Sequence, residues 1–137
     1  MKRIDKKKER SSNKFVQETV RHGHNQMKPK LSFEFLTGKY CISNCQQDEK
    51  AEVIDILHRL SQRTWQEIIQ LGKAGIGYEQ FEKEQLKCSI PSSAFFQNID
   101  KVTVFHRAPK IPIVGFRVQE VFYIFCIDRT YDAYDHK

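Results

Sequence analysis

"EVFYIFCID", residues 120–128, is apolar on both of its alternating sets, Phe122, Ile124 and Cys126 on one and Val121, Tyr123, Phe125 and Ile127 on the other. Successive side chains of a strand point to opposite faces, so such a segment belongs at the centre of a sheet that is covered on both sides. Its neighbours fit that frame. "KVTVFHR" (101–107) and "IPIVGFRV" (111–118) are rich in β-branched and aromatic residues and separated by short breaks, and "YDAYD" (131–135) follows as a stub. An antiparallel meander of three to four strands is predicted over the C-terminal third.

Working back toward the start, "DEKAEVIDILHRL" (48–60) spaces Val53, Ile56, Leu57 and Leu60 as one helical face, with Asp48 as its cap and His58 as an ordinary residue beside the stripe. "TWQEIIQLG" (64–72) opens on the capping box Thr64-x-x-Glu67 and stops at Gly72, giving a second helix. "LSFEFL" (31–36) alternates with the two-residue period of a strand. Residues 79–90 fit a short helix or a strand, and "IPSSAFFQNID" (90–100) reads as a connection. The glycine-rich "GKAGIGYEQ" (72–80) lacks the spacing of a phosphate-binding loop and reads as a turn.

Residues 1–30 hold ten Lys or Arg against three acids and few apolar side chains, which cannot build a core. They are expected to form a basic arm, with His22 and His24 exposed, ahead of a single domain over 31–137. The fold class is therefore α+β: arm, strand, two helices, meander.

The chain has 137 residues and carries 23 Lys or Arg against 17 Asp or Glu, a net charge of +6, which favours a polyanionic partner. No apolar run approaches the roughly 20 residues of a spanning helix, and the lysine-rich start lacks a secretory signal's apolar stretch, so a cytoplasmic protein without a membrane role is expected. Its four cysteines then stay reduced. A zinc site from Cys41, Cys45 and Cys88 has only weak spacing in its favour, and no cofactor is expected.

Strand parity places Arg117 opposite Val114, Phe116 and Val118, facing out of the core beside the space left by Gly115. Arg107 and Lys110 bracket the tight "RAPK" connection just before it, and Asp128, Arg129, Tyr131, Tyr134 and His136 end the chain. Cations to hold a phosphate and ionisable groups to move protons are what metal-independent RNA cleavage needs. His136, with an ordinary pKa of about 6.5, is the best proton carrier among them. Arg129 and Tyr131 are candidates for substrate binding, Tyr131 by stacking on a base. Equally, aspartates and an arginine that end a strand form ordinary turn salt bridges, and Asp128, Asp132, Asp135 and His136 offer a weaker metal-site alternative.

The order of elements, with basic residues on the strands and a C-terminus bearing Tyr and His, resembles the RelE/ParE-like toxin superfamily of bacterial toxin-antitoxin systems. The elements "GYE", "FHR", "VGFR", "FYIFCIDR" and "YDH" are also similar to the C-terminal signature of a group of small bacterial proteins. The resemblance implies an RNase-like fold, mRNA cleavage at the ribosome, and neutralisation by an antitoxin that wraps the toxin. The matching positions for catalysis are Arg107, Arg117, Tyr134 and His136, with Lys110 in a supporting place and Glu120 or Asp128 orienting His136. The long arm and the aspartates of "CIDRTYDAYDH" depart from the pattern, because three carboxylates repel a phosphate unless turned away. Two functions are thus expected in competition: a toxin-like endoribonuclease, and a non-catalytic module that binds RNA or an acidic partner.

Overall fold

The computed structural model describes residues 23–93 and 96–135. The described residues form five strands, β1 (Lys30–Ser32), β2 (Tyr78–Glu82), β3 (Lys101–Phe105), β4 (Ile113–Val118) and β5 (Val121–Ile127), and two α-helices, α1 (Gln47–Leu60) and α2 (Trp65–Leu71). One sheet joins all five strands in the order β1-β5-β4-β3-β2.

The three strands expected over 101–128 form, as β3 to β5, an antiparallel meander, which β2 extends on its outer side. The ambiguous stretch after residue 78 supplies its outer strand, β2, which pairs along its whole length with β3. β1 departs from the expectation. It runs parallel to β5, Leu31 beside Phe122, so the sheet is mixed, and it ends at Ser32. A turn closed by the Leu36 N–H on the Phe33 carbonyl breaks the alternation read over residues 31–36. Phe33 is left exposed, and Phe35 swings to the opposite face from Leu31. The stub at 131–135 is also corrected: it contains no strand but folds as turns against the sheet.

β5 lies between β1 and β4 with both faces buried, as its double apolar set requires. On one face Phe105, Ile113, Phe122, Ile124 and Ile127 pack against Val53, Leu57 and Leu60 of α1 and Trp65 and Ile68 of α2. On the other, Val102, Val104, Val114, Phe116 and Cys126 are covered by Phe96, Ala133 and Tyr134, which lie in no strand or α-helix. In β5 Ile124 pairs with Gly115 and Cys126 with Val114, so Phe125 is an extra residue; this bulge turns Phe125 and Cys126 to the same face.

Local chemistry sets the helix starts. Glu49 accepts from the Gln46 N–H at 2.8 Å, so Gln46 caps α1, in place of the expected Asp48. Thr64 and Glu67 form the predicted capping box on α2: the Thr64 N–H donates to Glu67 at 3.0 Å and the Glu67 N–H to Thr64 Oγ1 at 3.2 Å.

Of the basic arm, residues 1–22 lie outside the described residues, His22 among them. The part that is described docks on α2: the Trp65 N–H donates to the Met27 carbonyl at 3.0 Å. His24 is half-buried, not exposed, with Nδ1 3.6 Å from Glu120. No helix among the described residues is long and apolar enough to cross a membrane.

Candidate functional site

The connection from β3 to β4 is held at three points. Near its start, Arg107 turns its guanidinium onto the turn at 72–77 and donates from Nη1 to the carbonyls of Ala74 at 3.0 Å and Gly75 at 2.9 Å. Glu52 of α1 accepts from the Ile111 N–H at 2.7 Å and lies 3.9 Å from the Lys110 ammonium. From the chain's end, the Tyr131 hydroxyl reaches the carbonyls of Pro109, 2.8 Å away, and Lys110, 3.2 Å away, while its ring meets that of His106 edge-on. Gly77 is required here. Its φ is +81°, and a Cβ would lie 2.1 Å from the His106 carbonyl oxygen.

Between this pinned connection, the turn at 72–77 and the C-terminal half of α1 lies a cleft of about 690 Å³, within the usual 300–1,000 Å³ range of ligand sites. Ile56, Leu71 and Ile76 give it an apolar lining, and four cations from two separate parts of the chain stand around it, Arg59 and Arg63 opposite Arg107 and Lys110. His58, Glu52 and Asp55 also line it. Among the described residues the Arg59 guanidinium has no ion pair or hydrogen bond, so its charge and N–H donors are available to a ligand.

Of the residues singled out in the sequence, the structure brings Arg107, Lys110 and Tyr131 to this corner. Tyr131 acts there through its hydroxyl on the loop carbonyls, and burial followed by the Glu52 and Asp128 charges pushes its phenol up from the ordinary value.

Arg117 is elsewhere. It does sit opposite Val114, Phe116 and Val118, but that face is the one the helices cover, so the expectation that it faces out of the core is corrected. Its guanidinium lies over the Trp65 ring, 4.3 Å from the centroid, and donates to the Gln119 carbonyl at 2.6 Å and to Asn25 Oδ1 at 2.5 Å. Burial pushes its pKa down from the usual arginine value. Gly115 leaves no open space beside it: a Cβ there would lie 2.4 Å from the Tyr123 carbonyl oxygen and 2.6 Å from the Phe122 ring. Along β4, Arg117 is four residues from the Ile113 end where the connection enters, roughly 13 Å of strand.

Tyr134 is on the opposite face of the sheet from Arg117, 5% exposed, with its ring 4.8 Å from that of Phe81. Burial, followed by the charges of Glu79 and Asp128, raises its phenol far above the ordinary value. His136 lies outside the described residues. Arg129 is engaged: its Nε donates to Glu49 at 2.9 Å, which ties the turn after β5 to the first turn of α1. The structure therefore does not gather Arg107, Arg117 and Tyr134 into one hollow.

The aspartates of the chain's end have local partners. Asp128, fully buried, accepts from the backbone N–H groups of Asp132 and Ala133. Asp132 meets Lys39 at 2.5 Å and Tyr40 at 3.0 Å, and Asp135 meets Lys87 at 2.6 Å. They are turned away from the cleft, which answers the repulsion that three carboxylates pose. No group of three or more His, Cys, Asp or Glu positioned for a metal ion occurs among the described residues. Cys88 hydrogen-bonds Cys126, and all four thiols are free.

Sequence reading missed Arg59 and Arg63. The available signal was spacing: Glu52, Asp55, Ile56 and Arg59 fall on one side of α1, three or four residues from one another or adjacent, and Arg63 follows four residues after Arg59, just past the helix end at Leu60.

The chain matches no protein-family model, no curated protein and no solved structure.

Proposed function

We propose that this protein is a non-catalytic RNA-binding module whose contact with the phosphate backbone is centred on the cleft between α1 and the β3–β4 connection. One observation carries the reading: Arg59 and Arg63 converge with Arg107 and Lys110 on a single concavity, from segments about fifty residues apart in sequence. Concentrated positive charge on low-dielectric walls focuses potential on a polyanion, and arginine's planar fork matches phosphate oxygens two at a time. The net charge of +6 acts in the same direction. Such a role is cytoplasmic.

The endoribonuclease expected from the RelE/ParE-like resemblance would keep Arg107 and Lys110 as phosphate-holding groups but would have to work without Tyr134 and Arg117. Binding is therefore the reading the geometry supports best. The test is fluorescence anisotropy of a labelled single-stranded RNA with the wild-type chain and with Arg59→Ala/Arg63→Ala, with RNA length checked by gel afterwards. Binding that weakens in the double variant, with the RNA intact, supports the module. Shortened RNA returns the assignment to the endoribonuclease, and an acidic peptide that binds where RNA does not replaces the partner by a protein.

A further inference from the structure

The cleft is chemically polarised along α1, and the polarity selects a ligand more narrowly than charge does. Arg59 stands in the last turn of the helix with Arg63 just beyond it, and Asp55 stands one turn before Arg59. Glu52, the other carboxylate, is taken up by the Ile111 N–H and the Lys110 ammonium. Asp55 is exposed and makes no ion pair or side-chain hydrogen bond among the described residues. A carboxylate accepts only, so it calls for a ligand with N–H donors at that end. Between the two ends lies the aliphatic surface of Ile56, Leu71 and Ile76, against which a flat apolar ring can lie.

We propose that the cleft is a nucleotide subsite for an unpaired guanine, its Watson–Crick edge donating to Asp55, its ring on the aliphatic lining, and its phosphate held by Arg59 and Arg63. Guanine is the base whose edge sets two N–H donors side by side, as a carboxylate's two oxygens require. Uracil sets its one N–H between two carbonyl oxygens, which a carboxylate repels. One helical turn, roughly 6 Å along the axis, separates Asp55 from Arg59, and Arg63 lies just beyond the helix end, so carboxylate and cations are set apart as a purine's edge and its own 5′-phosphate are. A paired base has its edge occupied and its ring stacked, so the subsite favours single strands. This inference rests on the RNA-binding reading for its biological meaning, but its chemistry can be tested apart from it.

The full chain is titrated calorimetrically with guanosine, cytidine, adenosine and uridine 5′-monophosphates, with ribose 5-phosphate and inorganic phosphate as probes of the anion alone. The expected result is guanosine monophosphate binding at least about tenfold tighter than the uridine nucleotide or ribose 5-phosphate, the discrimination one good bidentate base contact gives. Asp55→Ala, a substitution at an exposed helix position, is expected to bring all of them to the affinity of ribose 5-phosphate with an unchanged melting curve. Equal affinities in the wild-type chain, or a guanine preference that survives Asp55→Ala, overturns the subsite. If RNA binds through Arg59 and Arg63 without base preference, the subsite fails and the RNA-binding reading stands. If guanosine monophosphate binds in an Asp55-dependent way while RNA does not, the subsite stands and the RNA-binding reading fails.

Discussion

The Arg117 guanidinium is stacked on Trp65, with its central carbon 4.3 Å from the ring centroid, and the indole N–H in turn donates to the Glu120 carbonyl at 2.9 Å. Strand and helix are thereby joined through a cation and a ring, and the described end of the arm joins them through Asn25. Arg117 has a structural part, independent of any ligand. Arg117→Ala is expected to cost about 1–2 kcal/mol through the lost cation–π contact and stem packing. It should also shift the emission of Trp65, the chain's single tryptophan, toward that of a wetter indole, and leave RNA affinity unchanged. A variant of full stability that no longer binds RNA would return Arg117 to the binding site.

Gly115 gives a sharper stability prediction. With the Tyr123 carbonyl 2.4 Å and the Phe122 ring 2.6 Å from the site of a Cβ, Gly115→Ala forces the β4–β5 pair apart beside the Phe125 bulge. The expected loss is about 3 kcal/mol, at the upper end for overpacking a core. Chemical denaturation reads it directly, and a loss within error of zero would show that the strands part at no cost.

How much of this was legible in the sequence follows from which interactions decide each part. The meander, the place of β5 and the Thr64–Glu67 cap were readable because alternation and capping are written in neighbouring residues. The parallel pairing of β1 was not, since Leu31 meets Phe122 across ninety residues of chain. For Arg117, parity gave the correct face, but which face the helices would cover is a tertiary outcome. Tyr134 followed the same logic in reverse: its flanking aspartates suggested solvent, yet Asp128 and Asp135 bond to the Ala133 backbone and Lys87 and fold the segment inward. Arg59 and Arg63 escaped notice because the cleft exists only once α1 lies beside the β3–β4 connection.

Acid should loosen the cover over the sheet's second face. The Asp132 carboxyl is held well below the ordinary carboxylate range, first by Lys39, then by the Thr130 and Tyr40 hydroxyls. A group depressed in the folded state stabilises the fold above its unfolded value, about 3.9, and that contribution is lost as pH falls through the folded value. Asp132→Asn should therefore melt below wild type at pH 7, with the gap closing as pH drops beneath about 4. A gap that stays constant across that range would mean that the Asp132 charge contributes nothing.

The thiols should separate into two classes. Cys41 and Cys88 are half-buried and their thiols are lowered, Cys41 by hydrogen bonds from Ser43 and Cys88 by its bond with Cys126. Cys45 and Cys126 are buried and raised, Cys45 by burial and Cys126 by the bond with Cys88 and then burial. Iodoacetamide on the native protein should thus label Cys41 and Cys88, with Cys45 and Cys126 labelled only after denaturation. Rapid native labelling of Cys126 would contradict the packing of β5.

The claim that phosphates are held in the cleft is tested most directly by the salt dependence of RNA binding. Each phosphate neutralised on a single strand contributes about −0.7 to the slope of log affinity against log salt, so losing the two arginines in Arg59→Ala/Arg63→Ala should flatten that slope by about 1.4. The account predicts this flattening together with an unchanged melting curve. Identical slopes for the variant and the wild-type chain would place the phosphate contacts elsewhere on the protein and contradict it.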